Sequence, residues 1–208
     1  MNIQTTHRLI AALVLLSALG CRAHGTAGAG AASRDTAAAR ALNDRAFELI
    51  GKSDYAGAEK LLNKSINADV MFGPAHNNLG LVYYHQNKLY QAAWEFQNAI
   101  KLMPYVPEPR NNLGLVLERA GKLDTATDHY AKAVSMEPDN PEYLGNLARV
   151  KVRRGDHDDQ MKKLLEELVM KDSRPEWNHW ARMNLFRLNR PTSEEPQPRA
   201  ATMPATRS

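Results

Sequence analysis

The chain has 208 residues, with 27 basic against 23 acidic side chains, 7 histidines and one cysteine. With 43% apolar residues and a mean hydropathy of −0.51, it can bury one core or one short array, which argues against a multi-span membrane protein. The lone cysteine excludes an internal disulfide framework and a cysteine-built zinc site, and the net +4 comes without a long Lys/Arg run interleaved with aromatics, so a solvated face is expected and no nucleic-acid partner.

Residues 1–20 read as a targeting segment. Arg8 precedes an apolar run from Leu9 to Leu16, and the small residues Ala18 and Gly20 stand before Cys21. The run is too short and interrupted to span a bilayer well, so removal is expected. The position of Cys21 resembles a bacterial lipoprotein signal, which implies lipidation of Cys21, although Ala18-Leu19-Gly20 swaps the usual order. Ordinary cleavage after Gly20 or Ala23 is the alternative. An acylated end would tether the protein to a membrane without spanning it. Arg22 stands where inner-membrane lipoproteins of many Gram-negative bacteria carry an aspartate, so the resemblance implies the periplasmic side of the outer membrane. Residues 21–38 are Ala/Gly-rich and are expected to be a flexible tether of about 20–25 Å root-mean-square reach.

From residue 39 onward the sequence aligns with itself at a shift of 34. Leu79, Leu113 and Leu147 share a column, followed by Gly80, Gly114 and Ala148; Ala58, Ala92 and Ala126 share another, and Leu62, Phe96, Tyr130 and Leu164 a third. Pro104 and Pro138 close two copies. This order of Leu-Gly, Tyr, Ala, Phe/Tyr and Pro resembles the tetratricopeptide repeat (TPR). The resemblance implies an all-α, right-handed solenoid of four helix pairs at 39–72, 73–106, 107–140 and 141–174. In the second copy the apolar spacing predicts helices near 74–86 and 90–103. Ser53-Asp54, Asn87-Lys88, Gly121-Lys122 and Gly155-Asp156 fall between helices, where Asn and Gly suit a left-handed helix end.

The fourth copy has Gln160, Glu167 and Asp172 where Ala, Ala and Pro are expected. Beyond it, Ser173-x-x-Glu176 resembles a capping box, with Pro175 in the first turn. Trp177, Ala181, Leu185 and Leu188 make one apolar stripe, so residues 175–190 are expected to cap the array. Residues 191–208 are Pro-rich and polar, without a core pattern, and are expected to be disordered.

Catalytic signals fail on inspection. Gly51-Lys52-Ser53 fits a permissive phosphate-loop pattern, but large residues precede it on a predicted helix, in register with Asn87-Lys88 and Gly121-Lys122. Histidines 76, 85, 129, 157 and 179 form no metal-ligand cluster and read as exposed. No catalytic motif is present, so no enzyme, cofactor or metal is expected.

In TPR proteins the first helices line a concave face, and helical spacing assigns residues to it. The stripes are Asn78-Leu81-His85, Asn112-Leu115-Arg119 and Asn146-Arg149-Arg153, with Asp44-Phe47-Gly51 in the first copy. Asn43, Asn77 and Asn111 form a second column. An amide side chain offers donor and acceptor, as a peptide unit does, and the columns resemble the asparagine ladder of O-linked N-acetylglucosamine transferases. They can hold an extended chain or serve the fold itself. Phe47, Ile50, Leu81 and Tyr84 lie toward one end of this face and Arg119, Arg149 and Arg153 toward the other. That polarity suits an extended peptide with an apolar part and a carboxylate, which arginine can hold bidentately. The sequence therefore leads to a non-catalytic adaptor at the bacterial envelope, binding another protein or an extended peptide and touching the membrane only through its lipid. Its layout is similar to that of pilus-assembly lipoproteins, and to adaptors for cell-wall hydrolases; a non-catalytic subunit of an envelope enzyme is the alternative of another class.

Overall fold

The computed structural model describes residues 34–189. The expected leader 1–20, Cys21, most of the tether and the tail 191–208 lie outside the described residues. Nine helices follow one another within them, with no strand: α1 Thr36–Gly51, α2 Tyr55–Ala68, α3 Gly73–His85, α4 Leu89–Leu102, α5 Glu108–Arg119, α6 Leu123–Met136, α7 Pro141–Arg154, α8 Asp159–Lys171 and α9 Pro175–Leu188. The first helix starts three residues before residue 39, within the expected tether. Asp35 causes this: its side chain accepts the Ala38 N–H at 2.9 Å, the N-cap bond that satisfies an orphan donor.

The turns inside the four pairs repeat as strictly as the helices. Ser53, Asn87, Gly121 and Gly155 have φ of 59°, 61°, 76° and 88°, one period apart. In each, the next residue's N–H bonds the carbonyl five residues back: Asp54 to Leu49, Lys88 to Tyr83, Lys122 to Leu117 and Asp156 to Lys151, at 2.8–3.0 Å. This is the Schellman closure of a helix end. Glycine enters the left-handed region without a Cβ penalty, whereas Ser53 adopts it under strain.

Close approach inside each pair depends on the Leu-Gly column. A Cβ on Gly80 would meet the Phe96 ring at 2.6 Å, and one on Gly114 the Tyr130 ring at 2.6 Å. Both rings are fully buried. The apolar clusters also cross pair boundaries. Ala46 of α1 and Leu62 of α2 pack with Leu79 and Val82 of α3; Phe96 of α4 with Leu113 and Val116 of α5; Tyr130 of α6 with Leu147 and Val150 of α7. Each pair is thus completed by the first helix of the next, as nearest-neighbour stacking requires.

The final helix closes the array. Trp177 and Trp180, 3% and 5% exposed, pack with Leu144, Met161 and Leu165. The Trp177 ring lies against Gly145, 2.6 Å from where a Cβ there would stand, in the column of Asn77 and Asn111 rather than that of Gly80 and Gly114. The start of α9 differs from the expected capping box. Its N-cap is Arg174, with no side-chain cap bond. Asp172 organises the turn instead, accepting the Arg174 N–H at 2.9 Å and its guanidinium at 2.6 Å, while Pro175 starts the helix without needing a donor.

Candidate functional site

The first helices α1, α3, α5 and α7 present one continuous face, and the structure shows what its asparagines do. Asn78 Nδ2 donates to Asn43 Oδ1 at 2.9 Å, Asn112 to Asn77 at 3.1 Å and Asn146 to Asn111 at 2.9 Å. Each bond joins one repeat to the next. Asn77 Nδ2 also donates to Glu108 Oε1 at 2.9 Å, and Asn111 Nδ2 to Glu142 Oε1 at 3.5 Å. Asn77, Asn78, Asn111, Asn112 and Asn146 are all buried, none more than 8% exposed. The columns therefore form a ladder with themselves. As a ready-made peptide clamp they are displaced, because their amides already hold the neighbouring repeat. Each such bond contributes on the order of 1 kcal/mol to stacking.

The ladder ends at the fourth repeat. Gly145 stands where Asn43, Asn77 and Asn111 stand, and the Trp177 ring occupies the room. The Asn146 oxygen Oδ1, wholly buried, has no hydrogen-bond partner.

Arg149 and Arg153 do not wait for an external carboxylate either. Arg149 grips Glu118 with two bonds, Nε to Oε1 at 3.0 Å and Nη2 to Oε2 at 2.8 Å. Arg153 Nη1 adds a third at 2.7 Å and the Tyr130 hydroxyl a fourth at 2.9 Å. Burial works against the charge on Glu118, but the two guanidinium groups and the phenol outweigh it and hold its pKa below the usual carboxylate value. The expected carboxylate clamp is thus filled by the protein itself. Arg149 is held further by the Trp177 ring, 6.0 Å from its guanidinium carbon, with Arg174 at 4.9 Å from the same ring. Glu118 falls in the column of Ile50, Tyr84 and Val152. A single acid in an apolar column, one repeat before two arginines, is the signal that sequence reasoning passed over.

The remaining site residues stay accessible. Leu81, Leu115 and Tyr84 are half-buried, Phe47 is 61% exposed, and Arg119 is exposed. Arg119 lies over the Tyr84 ring at 5.2 Å. Arg153 keeps half of its side chain in solvent despite its bond to Glu118. His85 stacks on Tyr55, ring centroids 4.9 Å apart, and burial, aided by Arg119, lowers its pKa. What the face offers is an apolar strip edged by charge.

The histidines depart from the expected exposure at three positions: His85 and His129 are half-buried and His76 is buried. His76 is 6% exposed, with Nδ1 2.7 Å from Glu95 Oε2 and Nε2 3.0 Å from the Val70 carbonyl. A neutral imidazole has one N–H and cannot satisfy two acceptors. Burial opposes the charge, yet Glu95 and Val70 prevail and raise its pKa. Both contacts of the His76 ring therefore favour its protonated form. Among the described residues no group of three or more His, Cys, Asp or Glu side chains is placed to hold a metal ion, and no helix is long and apolar enough to cross a membrane.

No curated protein matches the chain. A family model described as a tetratricopeptide repeat matches residues 111–176. Among solved structures, PilF of Pseudomonas aeruginosa superposes with a TM-score of 0.66 at 17% identity, covering 74% of this chain and 70% of that one. The O-GlcNAc transferase of Thermobaculum terrenum gives 0.62 at 22%, covering 66% of this chain and 27% of that one. The first TPR domain of Spaghetti (RPAP3), bound to the HSP90 peptide SRMEEVD, gives 0.58 at 20%, covering 61% and 100%. At these identities the likeness is one of fold. With the 34-residue register, the Schellman turns and the glycine–aromatic contacts, it gives these helix pairs the tetratricopeptide-repeat fold, and the family model identifies residues 111–176 as such repeats.

Proposed function

We propose that the protein is a non-catalytic adaptor whose first-helix face, the concave wall of a TPR array, binds a segment of another protein. The observation that carries this reading is the strip formed by Phe47, Leu81 and Leu115 with Tyr84, apolar and solvent-facing where the rest of that wall is closed by its own asparagines. Apolar surface of this kind gains roughly 25 cal/mol for each Å² a partner covers. The complex of the similar RPAP3 domain with an HSP90 peptide supports a peptide as the object bound. Recognition here rests on side chains, since the asparagines that could hold a peptide backbone are engaged.

The Cys21 signal adds location to the same reading: an exported protein, lipid-anchored at the periplasmic side of the outer membrane. Its layout, similar to that of pilus-assembly lipoproteins, points to pilus or secretion assembly as the setting, with recruitment of cell-wall hydrolases as the alternative. Affinity capture from envelope extract tests the binding face. Leu81→Glu/Leu115→Glu is expected to lose the partner that wild type retains, while far-ultraviolet circular dichroism stays unchanged. Retention of that partner by the variant contradicts the reading. Metabolic labelling with a fatty-acid analogue tests the anchor: label is expected in wild type and lost in Cys21→Ser.

A further inference from the structure

The charges along the same face are sorted across it. Glu108 and Glu142, both exposed, stand at the N-terminal ends of α5 and α7. Arg119 and Arg153, also exposed, stand at or near their C-terminal ends. Both pairs repeat at the 34-residue period, so two helices side by side build an acidic edge and a basic edge. Glu108 to Arg119 is eleven residues, or about 16 Å along a helix at 1.5 Å per residue. Between the edges the floor is Leu115 on α5, half-buried, continued on α3 by Leu81; the matching position of α7 is Arg149, turned onto Glu118 with only 11% of its side chain exposed. The internal network does not cancel this polarity. Glu118 takes the two bonds of Arg149, whereas Arg153 gives it one bond and keeps half of its side chain in solvent.

A ligand lying across the first helices meets three different surfaces: an acidic edge, an apolar floor and a basic edge. An extended strand points its side chains in only two opposite directions. It can address the floor or the two edges, but not all three. An α-helix turns about 100° per residue and presents three faces at once, and its diameter of about 10–12 Å fits the width between the edges. Resting on the proposed binding face, we infer that its partner segment is an amphipathic helix with an apolar stripe flanked by basic residues on one side and acidic residues on the other. The basic flank lies against Glu108 and Glu142, and the acidic flank against Arg119 and Arg153. Reversing the chain direction of such a helix exchanges its flanks, so the groove charges also fix its orientation.

The test uses the full chain and three hydrocarbon-stapled or extended peptides of about 20 residues, a length of about 30 Å as a helix. One is a helix with segregated flanks, one the same composition with both signs mixed on each flank, and one an extended proline-containing version. Titration calorimetry is expected to show the segregated helix binding at least tenfold more tightly than the other two. Glu108→Lys/Glu142→Lys and, separately, Arg119→Glu are each expected to remove that preference, so that the segregated helix binds no more tightly than the mixed one. Leu81→Glu/Leu115→Glu is expected to abolish binding of all. Equal binding of segregated, mixed and extended peptides, all lost in the leucine variant, overturns the helix inference and leaves the binding face standing. Binding insensitive to the leucine variant, or no binding by any peptide, overturns both.

Discussion

Two buried ionic side chains give the array opposite responses to pH. Glu118, its pKa depressed by Arg149, Arg153 and Tyr130 against the cost of burial, contributes stability that is present above the usual carboxylate value of 4.5 and is lost as pH falls through its folded pKa. His76, its pKa raised by Glu95 and Val70 against the cost of burial, contributes stability that is complete below the usual 6.5 and is lost as pH rises through its folded pKa. Melting temperature should therefore decline on the alkaline side. In His76→Gln, thermal unfolding from about pH 3 to about pH 9 is expected to lose that decline while the acid limb persists; an unchanged alkaline slope contradicts a cationic His76. Removing the Glu118 carboxylate is more damaging, because Arg149 would stay buried without its partner. Glu118→Ala is expected to cost about 3–5 kcal/mol in urea unfolding, and Glu118→Leu with Arg149→Met to recover most of it.

Among the elements, the contact between paired helices is set by a glycine and an aromatic ring. Gly114→Ala would place a Cβ 2.6 Å from the Tyr130 ring, which is fully buried and tied by its hydroxyl to Glu118. A loss of about 1–3 kcal/mol is expected. Gly51, with nothing within 4 Å of its would-be Cβ, is the contrast: Gly51→Ala is expected to be neutral or to gain a few tenths of a kcal/mol from helix propensity. Denaturant midpoints of the two variants check the pair. The helices, their turns and this glycine column were legible from the sequence because each depends on local chemistry repeated at a fixed period. The fate of the asparagines was not. Each column is visible at a spacing of 34, but the bond that matters links one column to the other at 35, from Asn43 to Asn78 and from Asn77 to Asn112. That pairing depends on how two helices lie side by side. For the same reason Arg149 and Arg153 read as open to a ligand, although α5 brings Glu118 between them.

For the whole molecule, the consequence is a division between what holds the array and what it can offer. Asparagines and Glu118 with its arginines join neighbouring repeats, while aromatic rings beside glycines hold the two helices of a pair together. The cap helix closes the last of them through Trp177. Left over on the first-helix face are the apolar strip and its charged edges, and the binding function is assigned there. On the opposite side, Tyr90 and Trp94 of α4 are also exposed, 82% and 56%, and provide an internal control. The most direct measurement is photo-crosslinking in cells, with benzoylphenylalanine placed singly at Leu81, Leu115 or Trp94. The two face positions are predicted to give adducts with the same protein, and position 94 none with it. Adducts with that protein from position 94 alone would contradict the assignment of binding to the first-helix face.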